Sequence, residues 1–205
     1  FCNVRVADST APLLRRPISY AGFDAQKGII TLLYRVVGKG TEIMTRLVPG
    51  DTLDCLGPLG EPFVTSKNML LVGGGVGIAP MLCIASHLKE GEEAQIILGF
   101  RNESETFWAD LFKDTPVKVH ITTDDGSVGA KGFPTAIMPE LINGNTFTSV
   151  MTCGPTPMMK GVAQVAKDLN VPCQVSLEER MGCGTGGCLR STANAPPGPA
   201  PPRCY

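Results

Sequence analysis

Hydrophobic and polar positions follow two different patterns along the chain. In the first part, short apolar or alternating runs are separated by turn signals that contain glycine and proline, a spacing typical of antiparallel strands. The candidate strands are residues 3–6, 18–21, 29–37 and 52–56. They predict a small antiparallel β-barrel, although four strands are too few to close one.

From residue 67 onwards, short apolar runs alternate with segments of helical pattern. The candidate strands are residues 69–72, 94–100, 117–122, 148–153 and 171–177, and the candidate helices are residues 79–89, 106–113, 134–141 and 157–169. This alternation predicts a parallel sheet with right-handed crossovers. We therefore expect a β-barrel plus an α/β fold. The expected domains are 1–66 and 67–177, followed by a cysteine loop with a proline-rich tail at 178–205.

The charge and hydrophobicity of the chain argue against some classes of binding partner. The 205 residues contain 18 Lys and Arg against 19 Asp and Glu, which gives a net charge of −1. This balance provides no general attraction to nucleic acid or to an anionic membrane surface. The apolar runs are too short to span a bilayer, and no basic and then apolar segment opens the chain. We expect a cytoplasmic protein with no nucleic acid and no membrane as partner.

Eight cysteines are the unusual feature of the composition. An even number is compatible with a disulfide framework, but a chain of this length does not need one to fold. Five cysteines, from Cys2 to Cys173, are scattered singly among apolar residues, as reduced thiols usually are. Cys183 and Cys188 instead lie together among glycines. The pattern favours a reduced protein with one cysteine-based site over a disulfide scaffold.

A glycine-rich loop joins the first strand of the α/β part to its first helix. The glycines are Gly73, Gly74, Gly75 and Gly77. Glycines allow a sharp turn and the close approach of a ligand, and the start of the following helix attracts phosphate. The spacing departs from the dinucleotide fingerprint GxGxxG, so a tight turn between strand and helix is the alternative interpretation.

The segment Cys153-Gly154-Pro155 also follows a strand and precedes a helix. Ligands of open α/β sheets bind at the carboxyl ends of the strands. We therefore expect this segment and the glycine loop to face the same crevice. A buried cysteine before a turn is the alternative.

A third candidate site lies in the β part of the chain. Arg15 and Arg16 precede Pro17-Ile18-Ser19, and an arginine beside a strand can bind phosphate through paired hydrogen bonds. Tyr34 offers a flat ring for stacking, and Gly40-Thr41 offers backbone N–H groups and a hydroxyl. Surface charge and ordinary turn chemistry are the alternatives for these residues.

Cys183 and Cys188 form the fourth candidate site. Two thiolates in a glycine-rich loop can bind iron, and the glycines leave backbone N–H groups free to hydrogen-bond the sulfurs. A [2Fe-2S] cluster usually takes four thiolates, with the plant-type spacing C-x4-C-x2-C. Ser191 occupies the third position in this chain. A glycine turn with two free thiols is the alternative, and zinc is disfavoured because a second ligand pair is lacking.

Taken together, six segments resemble the electron-transfer subunits of class 1B dihydroorotate dehydrogenase, within the ferredoxin–NAD(P) reductase superfamily. The segments are LLRRPIS (13–19), LYRVVGKGT (33–41), LGPLG (56–60), LVGGGVGIAPM (71–81), CGPTPMMK (153–160) and SLEERMGCGTGGC (176–188). They occur in order and cover about residues 1–188. The resemblance implies that the β part is a flavin-binding barrel.

The resemblance also implies roles for individual residues. The implied FAD contacts are Arg16, Pro17, Ile18, Ser19, Leu33, Tyr34, Arg35, Gly40 and Thr41. The implied pyridine-nucleotide site comprises Gly73, Gly74, Gly75, Gly77, Cys153, Gly154 and Pro155. Cys183 and Cys188 match the first two cluster ligands, the third falls at Ser191, and the fourth falls beyond Tyr205, close to Cys204 but out of step with it.

An oxidoreductase function follows from the resemblance. Electrons are expected to pass from an FMN-containing dihydroorotate dehydrogenase catalytic subunit, in a heterotetramer of two of each subunit, through the [2Fe-2S] cluster and FAD to NAD⁺ in pyrimidine biosynthesis. In this reaction the bound cofactors carry the electrons and the protein positions them, so no catalytic acid–base residue is expected. We therefore interpret His87 and His120 as structural residues. Glu103 and Glu105 favour NAD over NADP, whereas Arg101 argues the other way.

Alternatives within and outside this enzyme class stay open. One is the small subunit of a ferredoxin:NADP transhydrogenase or of a sulfide dehydrogenase, and another is a cofactor-binding module that transfers no electrons. Members of the family carry further barrel sequence before the position of Phe1, and their tails are not rich in proline. We therefore expect a fragment whose end is shifted in reading frame after Leu189 or is wrongly joined.

Overall fold

The continuous apolar run from Met69 to Val72 lies in the middle of a parallel sheet. Its side chains are buried on both faces of that sheet. The computed structural model describes residues 1–7, 12–177 and 184–185. Within that part of the chain, no helix is both long enough and apolar enough to cross a bilayer. The fold class predicted from the sequence, antiparallel β structure followed by an α/β unit with a parallel sheet, is confirmed.

The chain divides into two compact units. The first contains residues 1–20 and 32–62 together with the described residues 184–185, and the second contains residues 21–31 and 63–177.

The first unit is built on a three-stranded antiparallel sheet. Its strands and the helix of this unit are β1 (Cys2–Arg5), β2 (Arg16–Ile18), α1 (Lys39–Met44) and β5 (Asp54–Leu56). The order in the sheet is β2-β1-β5. Its small core contains Cys2, Val4, Ile18 and Met44, with Tyr20 and Tyr34 packed against them.

Two further strands, β3 (Tyr20–Asp24) and β4 (Ile29–Leu32), form a separate two-stranded sheet. The predicted strand 29–37 is therefore too long, because its pairing ends at Leu32. The hydroxyl of Thr41 accepts hydrogen bonds from the N–H groups of Val37 and Gly38 and donates one to the carbonyl of Gly38. These bonds turn the chain into α1, which the sequence analysis did not predict.

The second unit is a three-layer α/β structure. Its elements are β6 (Asn68–Gly74), α2 (Ile78–Ala85), β7 (Glu93–Phe100), β8 (Lys118–Thr123), β9 (Ala130–Lys131), α3 (Met138–Gly144), β10 (Ser149–Cys153), α4 (Thr156–Asp168) and β11 (Cys173–Ser176). Three 3₁₀ segments, Gly75–Gly77, Glu103–Phe112 and Pro134–Ala136, connect them. The predicted helix 106–113 is thus a 3₁₀ segment, and β9 was not predicted.

The sheet of this unit has the order β11-β10-β6-β7-β8-β9, and every neighbouring pair is parallel. Alternate residues of the central strands face opposite layers. Met69 and Leu71 pack on the layer that contains α2, and Leu70 and Val72 pack on the layer that contains α3 and α4. This burial on both faces accounts for the uninterrupted apolar sequence of β6.

Candidate functional site

The parallel sheet changes its direction of growth between β6 and β10. β7 follows β6 along the chain and lies on one side of it, whereas β10 lies on the other side. In open α/β sheets, the crevice outside the carboxyl ends of two such strands is the usual ligand site. β6 ends at Gly74 and β10 ends at Cys153, so both candidate segments of this unit begin at that crevice.

The backbones of these two segments lie against each other. Cys153 is level with Gly73 in the parallel register. A Cβ atom added to Gly77 would lie 2.5 Å from the amide nitrogen of Gly154. A Cβ on Gly154 would lie 2.8 Å from the carbonyl oxygen of Gly74, and Gly154 has φ +151°. Any side chain at Gly77 or Gly154 would therefore push the two loops apart.

Gly75 is different, because a Cβ there would meet no atom within 4 Å. Its φ of +55° is a left-handed conformation, which glycine adopts without strain. The open space beside this backbone lies at the 3₁₀ turn that leads into the eight-residue helix α2. Free N–H groups at such a strand–turn–helix junction suit the phosphates of a dinucleotide.

Cys153 itself belongs to the hydrophobic core. Its side chain is 2% exposed and packs in the cluster that contains Leu71, Ile78 and Met81. Gly154 is half-buried, and Pro155 is exposed. The part of this segment that is open to solvent is therefore Gly154-Pro155 and not the thiol of Cys153.

Met158 is a further residue of this site, to which the sequence pattern alone gives no role. A Cβ on Gly74 would lie 2.6 Å from its sulfur, and the side chain of Met158 is 6% exposed. The glycine of β6 thus makes room for a methionine of α4. The pairing of a glycine loop with a CGPTPMM segment was the only indication in the sequence.

The two adjacent arginines of the first unit have different surroundings. Arg15 makes a bidentate ion pair with Asp54, with Nη1 to Oδ1 at 2.9 Å and Nη2 to Oδ2 at 2.7 Å. Its Nη1 also donates to the carbonyl oxygens of Asn3 and Asp54. Hydrogen bonding to Arg15 holds the pKa of the Asp54 carboxyl below its usual range. Arg15 is therefore a structural residue that connects the start of β2 to β5.

Arg16 has no such partner, because no ion pair joins it to a carboxylate of the described residues. Its guanidinium donates to the carbonyl of Leu14 and lies over Gly40, where a Cβ would come within 2.9 Å of Cζ. The structure therefore brings the RRPIS segment and the GKGT segment together at a half-buried positive charge. An uncompensated guanidinium in such a setting suits an anionic phosphate.

The other candidate residues of this unit lie around the same small core. Ile18 is buried, and the ring of Tyr34 packs against the cluster that contains it. Leu33 and Ser19 are half-buried, whereas Pro17 and Arg35 are exposed. Thr41 is 7% exposed, and its hydroxyl hydrogen-bonds within the turn before α1. The side chain of Thr41 therefore has a structural role.

Cys183 and Cys188 lie outside the described residues, as do Ser191 and Cys204. Gly184 is described: it is buried, has φ +72°, and a Cβ on it would lie 2.5 Å from Nδ2 of Asn3. The glycine between the two cysteines therefore packs on β1. Among the described residues, no three His, Cys, Asp or Glu side chains are grouped as a metal site requires.

The residues considered for the choice between NAD and NADP lie after β7. The N–H of Arg101 donates to the Glu105 carboxylate at 3.3 Å, and the N–H of Glu103 donates to the hydroxyl of Ser127 at 2.8 Å. His87 and His120 both make structural contacts: His87 bridges the carbonyls of Cys83 and Phe23, and His120 bonds Gln95.

Comparison with known proteins relates this geometry to a family. A family model described as the oxidoreductase NAD-binding domain matches residues 71–164, which include the glycine loop and the Cys153-Gly154-Pro155 segment. A solved structure that concerns flavin-based electron bifurcation by an NADH-dependent reduced ferredoxin-NADP oxidoreductase is 36% identical, with a TM-score of 0.83, and the match covers 94% of this chain and 70% of that one. Phthalate dioxygenase reductase, at 23% identity and a TM-score of 0.63 over 85% of this chain and 58% of its own, shares the fold.

Curated relatives are similar to this protein over almost the whole chain. The dihydroorotate dehydrogenase B (NAD(+)) electron transfer subunit of Bacillus pumilus is 40% identical over 92% of this chain and 74% of the relative. The subunit of the same name from Bacillus caldolyticus is 39% identical over 96% of this chain and 77% of the relative. The resemblance inferred from the six segments is thus confirmed: this chain belongs to the family of dihydroorotate dehydrogenase B (NAD(+)) electron transfer subunits, an oxidoreductase family.

Proposed function

We propose that this chain is the electron-transfer subunit of an NAD-dependent dihydroorotate dehydrogenase and works with a separate FMN-containing catalytic subunit, two copies of each. The observation that carries the proposal is the similarity to subunits of that name. Six such relatives are 38–40% identical to this protein over 92% or more of its chain. The crevice at the switch point of the parallel sheet supports it, because this is where an electron acceptor with a pyrophosphate would bind.

In the second unit, the glycine loop would hold NAD. Backbone N–H groups at Gly75 and at the start of α2 would bind the pyrophosphate, and the open space beside Gly75 leaves room for its close approach. Gly73, Gly74 and Gly77 keep the loop thin, and Gly154-Pro155 would border the nicotinamide end. The buried thiol of Cys153 would fix the position of that segment from within the core.

In the first unit, Arg16 would bind the FAD pyrophosphate, because its charge is uncompensated by the described residues and Gly40 leaves space for its guanidinium. Ile18 at the end of β2 and Ser19 just after it would support the isoalloxazine, and the Tyr34 ring would stack on the cofactor. Pro17, Leu33, Arg35, Gly40 and Thr41 complete the proposed FAD contacts. When bound, a flavin accepts electrons singly and gives a hydride to a nicotinamide.

Cys183 and Cys188 would supply two thiolates to a [2Fe-2S] cluster, which carries single electrons. Their roles rest on the family pattern SLEERMGCGTGGC and on the two-cysteine spacing. Gly184, which packs on Asn3, would anchor this loop to β1.

The test is co-expression with an FMN-containing catalytic subunit of this enzyme family. We expect the purified complex to reduce NAD⁺ when dihydroorotate is added and the catalytic subunit alone to do so poorly. Iron and flavin content of the complex reports whether the cluster and FAD are bound. A complex that does not form, or that leaves NAD⁺ unreduced, would contradict the proposal.

The solved structure at 36% identity favours a second candidate, a subunit of a ferredoxin:NADP oxidoreductase. The same preparation distinguishes the two functions. Reduction of ferredoxin by NADPH or NADH without any response to dihydroorotate would support the second candidate. The curated relatives at 38–42% identity favour the first.

A further inference from the structure

Two cysteines of the first unit that the proposed function does not use lie side by side. Cys2 is in β1 and Cys55 is in β5, and these strands pair in antiparallel register with Val4 opposite Cys55. Side chains alternate between the two faces of a strand, so Cys2, Val4 and Cys55 point to the same face. The two cysteines are therefore diagonal neighbours on that face, and the neighbouring Cys55 contributes to the raised pKa of the Cys2 thiol.

The surroundings keep these thiols together. The hydroxyl of Tyr20 lies beside Cys2, and both face Gly57. A Cβ on Gly57 would lie 2.6 Å from that hydroxyl and 3.0 Å from Cβ of Cys2. Gly57 therefore makes room for the side chain of Cys2 and the hydroxyl of Tyr20. Among the described strands, β5 pairs with β1 alone, so no described strand holds its other edge.

The two thiols differ in exposure. Cys2 is fully buried, whereas Cys55 is exposed to solvent. Burial raises the pKa of the Cys2 thiol, and the neighbouring Cys55 raises it further. An external reagent can therefore reach Cys55 but not Cys2, and among the described cysteines Cys55 is the one positioned to pass a disulfide to Cys2.

We propose that Cys2 and Cys55 form a reversible disulfide by exchange with a low-molecular-weight disulfide of the glutathione type. The Cys55 thiolate attacks one sulfur of the reagent, which breaks the reagent's S–S bond and releases one thiol. The Cys2 thiolate then attacks Sγ of Cys55, forms the protein disulfide and releases the second thiol. The two protons lost by the cysteines end on the two released thiols, and the two electrons reduce the reagent.

The position of this pair links it to the proposed flavin site. Cys2 is opposite Ile18 in the β1–β2 register. A covalent link between β1 and β5 would therefore form one strand away from the segment Arg16–Ile18. The inference does not depend on flavin binding, because the disulfide forms between residues of the polypeptide alone.

The experiment treats the full chain with oxidised glutathione, blocks remaining thiols with N-ethylmaleimide and maps tryptic peptides by mass spectrometry. Trypsin places Cys2 in peptide 1–5 and Cys55 in peptide 47–67, so only a disulfide joins the two peptides. We expect the joined pair to become the main form of both peptides and to disappear after reduction with dithiothreitol.

Variants separate the two steps. Cys2→Ala should stop at a mixed disulfide, so that peptide 47–67 carries one glutathione. Cys55→Ser should leave Cys2 unmodified, because Cys2 is buried. Cys83→Ser is the matched control: Cys83 is half-buried outside this pair, and the variant should still form the joined peptide.

Three results with the unsubstituted protein would overturn the proposal. They are a stable glutathione adduct on Cys55, a disulfide between Cys55 and any cysteine other than Cys2, and a dimer of two chains linked through Cys55. Each would show that Cys2 does not act as the resolving thiol. Labelling of both cysteines by N-ethylmaleimide after oxidation would have the same meaning.

Discussion

Gly77 is the residue on which the proposed nucleotide crevice depends most directly. Gly77→Ala would place a methyl group 2.5 Å from the amide nitrogen of Gly154, and backbone on both sides cannot rotate away. We expect a loss of about 1–3 kcal/mol in the free energy of unfolding and a loss of about tenfold or more in NADH affinity. Thermal denaturation and isothermal titration with NADH measure these effects.

The control for that substitution is Gly144→Ala, at the end of α3, where a Cβ would meet no atom within 4 Å. It should leave NADH affinity unchanged. Equal NADH affinity of Gly77→Ala and the unmodified chain would contradict the role given to the glycine loop.

Gly40 provides a second test, for the proposed flavin site. Gly40→Ala would displace the guanidinium of Arg16, whereas Gly38→Ala, two residues earlier, would enter open space. We expect Gly40→Ala to weaken FAD binding about tenfold, because it moves the Arg16 guanidinium from the position proposed to bind the FAD phosphate. Gly38→Ala moves no charged group and should have little effect. Quenching of FAD fluorescence on binding measures both. Similar affinities for the two variants would refute the placement of the FAD phosphate at Arg16.

The connection of β2 to β5 through Arg15 and Asp54 gives an expectation for pH. The folded-state pKa of Asp54 lies below its unfolded value, so the ion pair stabilises the protein above the ordinary carboxyl pKa of about 3.9 and this stabilisation is lost as the pH falls through the lower, folded pKa. Asp54→Asn should melt at a lower temperature than the unmodified chain at neutral pH, and the two curves should converge in acid.

Asp114→Asn, an exposed carboxyl that follows the 3₁₀ segment Glu103–Phe112, is the control for general charge effects. A difference between Asp54→Asn and the unmodified chain that persists unchanged into acid would argue against the ion pair as its source.

Helix α2 is joined to the β3–β4 hairpin through His87, which follows the helix. Its Nε2 lies 2.8 Å from the carbonyl oxygen of Phe23, and its ring stacks on the Phe23 ring at 4.0 Å between centroids. His87→Ala should raise amide hydrogen exchange in Tyr20–Asp24 and Ile29–Leu32 by removing both contacts. His120→Ala, in β8, should leave that exchange unchanged. Unaltered exchange in the His87 variant would show that other contacts hold the hairpin.

Elements differ in how well the sequence predicts them. β6, β7, β10 and α4 were predicted to within a few residues, because burial on both faces produces an apolar run and α4 has an amphipathic pattern. α1 and β9 were missed because neither carries a periodic pattern: α1 has six residues, with one glycine among them and another just before its start, and β9 has two residues.

The same contrast applies to the site. The meeting of the glycine loop with Cys153-Gly154 could be predicted, because strands of one parallel sheet place their carboxyl ends at one edge. Arg16 and Gly40 were expected in one site, but the close approach of the guanidinium to Gly40 could not be predicted, since it depends on how residues 33–41 turn through the Thr41 hydroxyl. Nor could the sequence distinguish Arg15 from Arg16, because only the fold places Asp54 beside one of them.

At the scale of the molecule, the proposed FAD contacts and the proposed [2Fe-2S] ligands are different residues, so loss of one cofactor should be separable from loss of the other. Cys183→Ala should abolish iron–sulfur absorbance in the complex with the catalytic subunit while NADH oxidation by an artificial dye, which needs FAD and NAD sites alone, persists. Cys83→Ala is the control and should retain both. Loss of flavin together with the iron in Cys183→Ala would contradict this division.

The central place of β6 has a consequence for how the molecule comes to be folded. Met69 in β6 pairs with Ala94 in β7 but also with Ser149 in β10, which is made much later during synthesis. Long loops must close before this second pairing forms, so refolding is expected in roughly milliseconds to seconds, slower than for helical bundles. Until residue 149 has emerged from the ribosome, one hydrogen-bonding edge of the buried, apolar strand β6 stays open, and a nascent chain stalled there would be prone to aggregate.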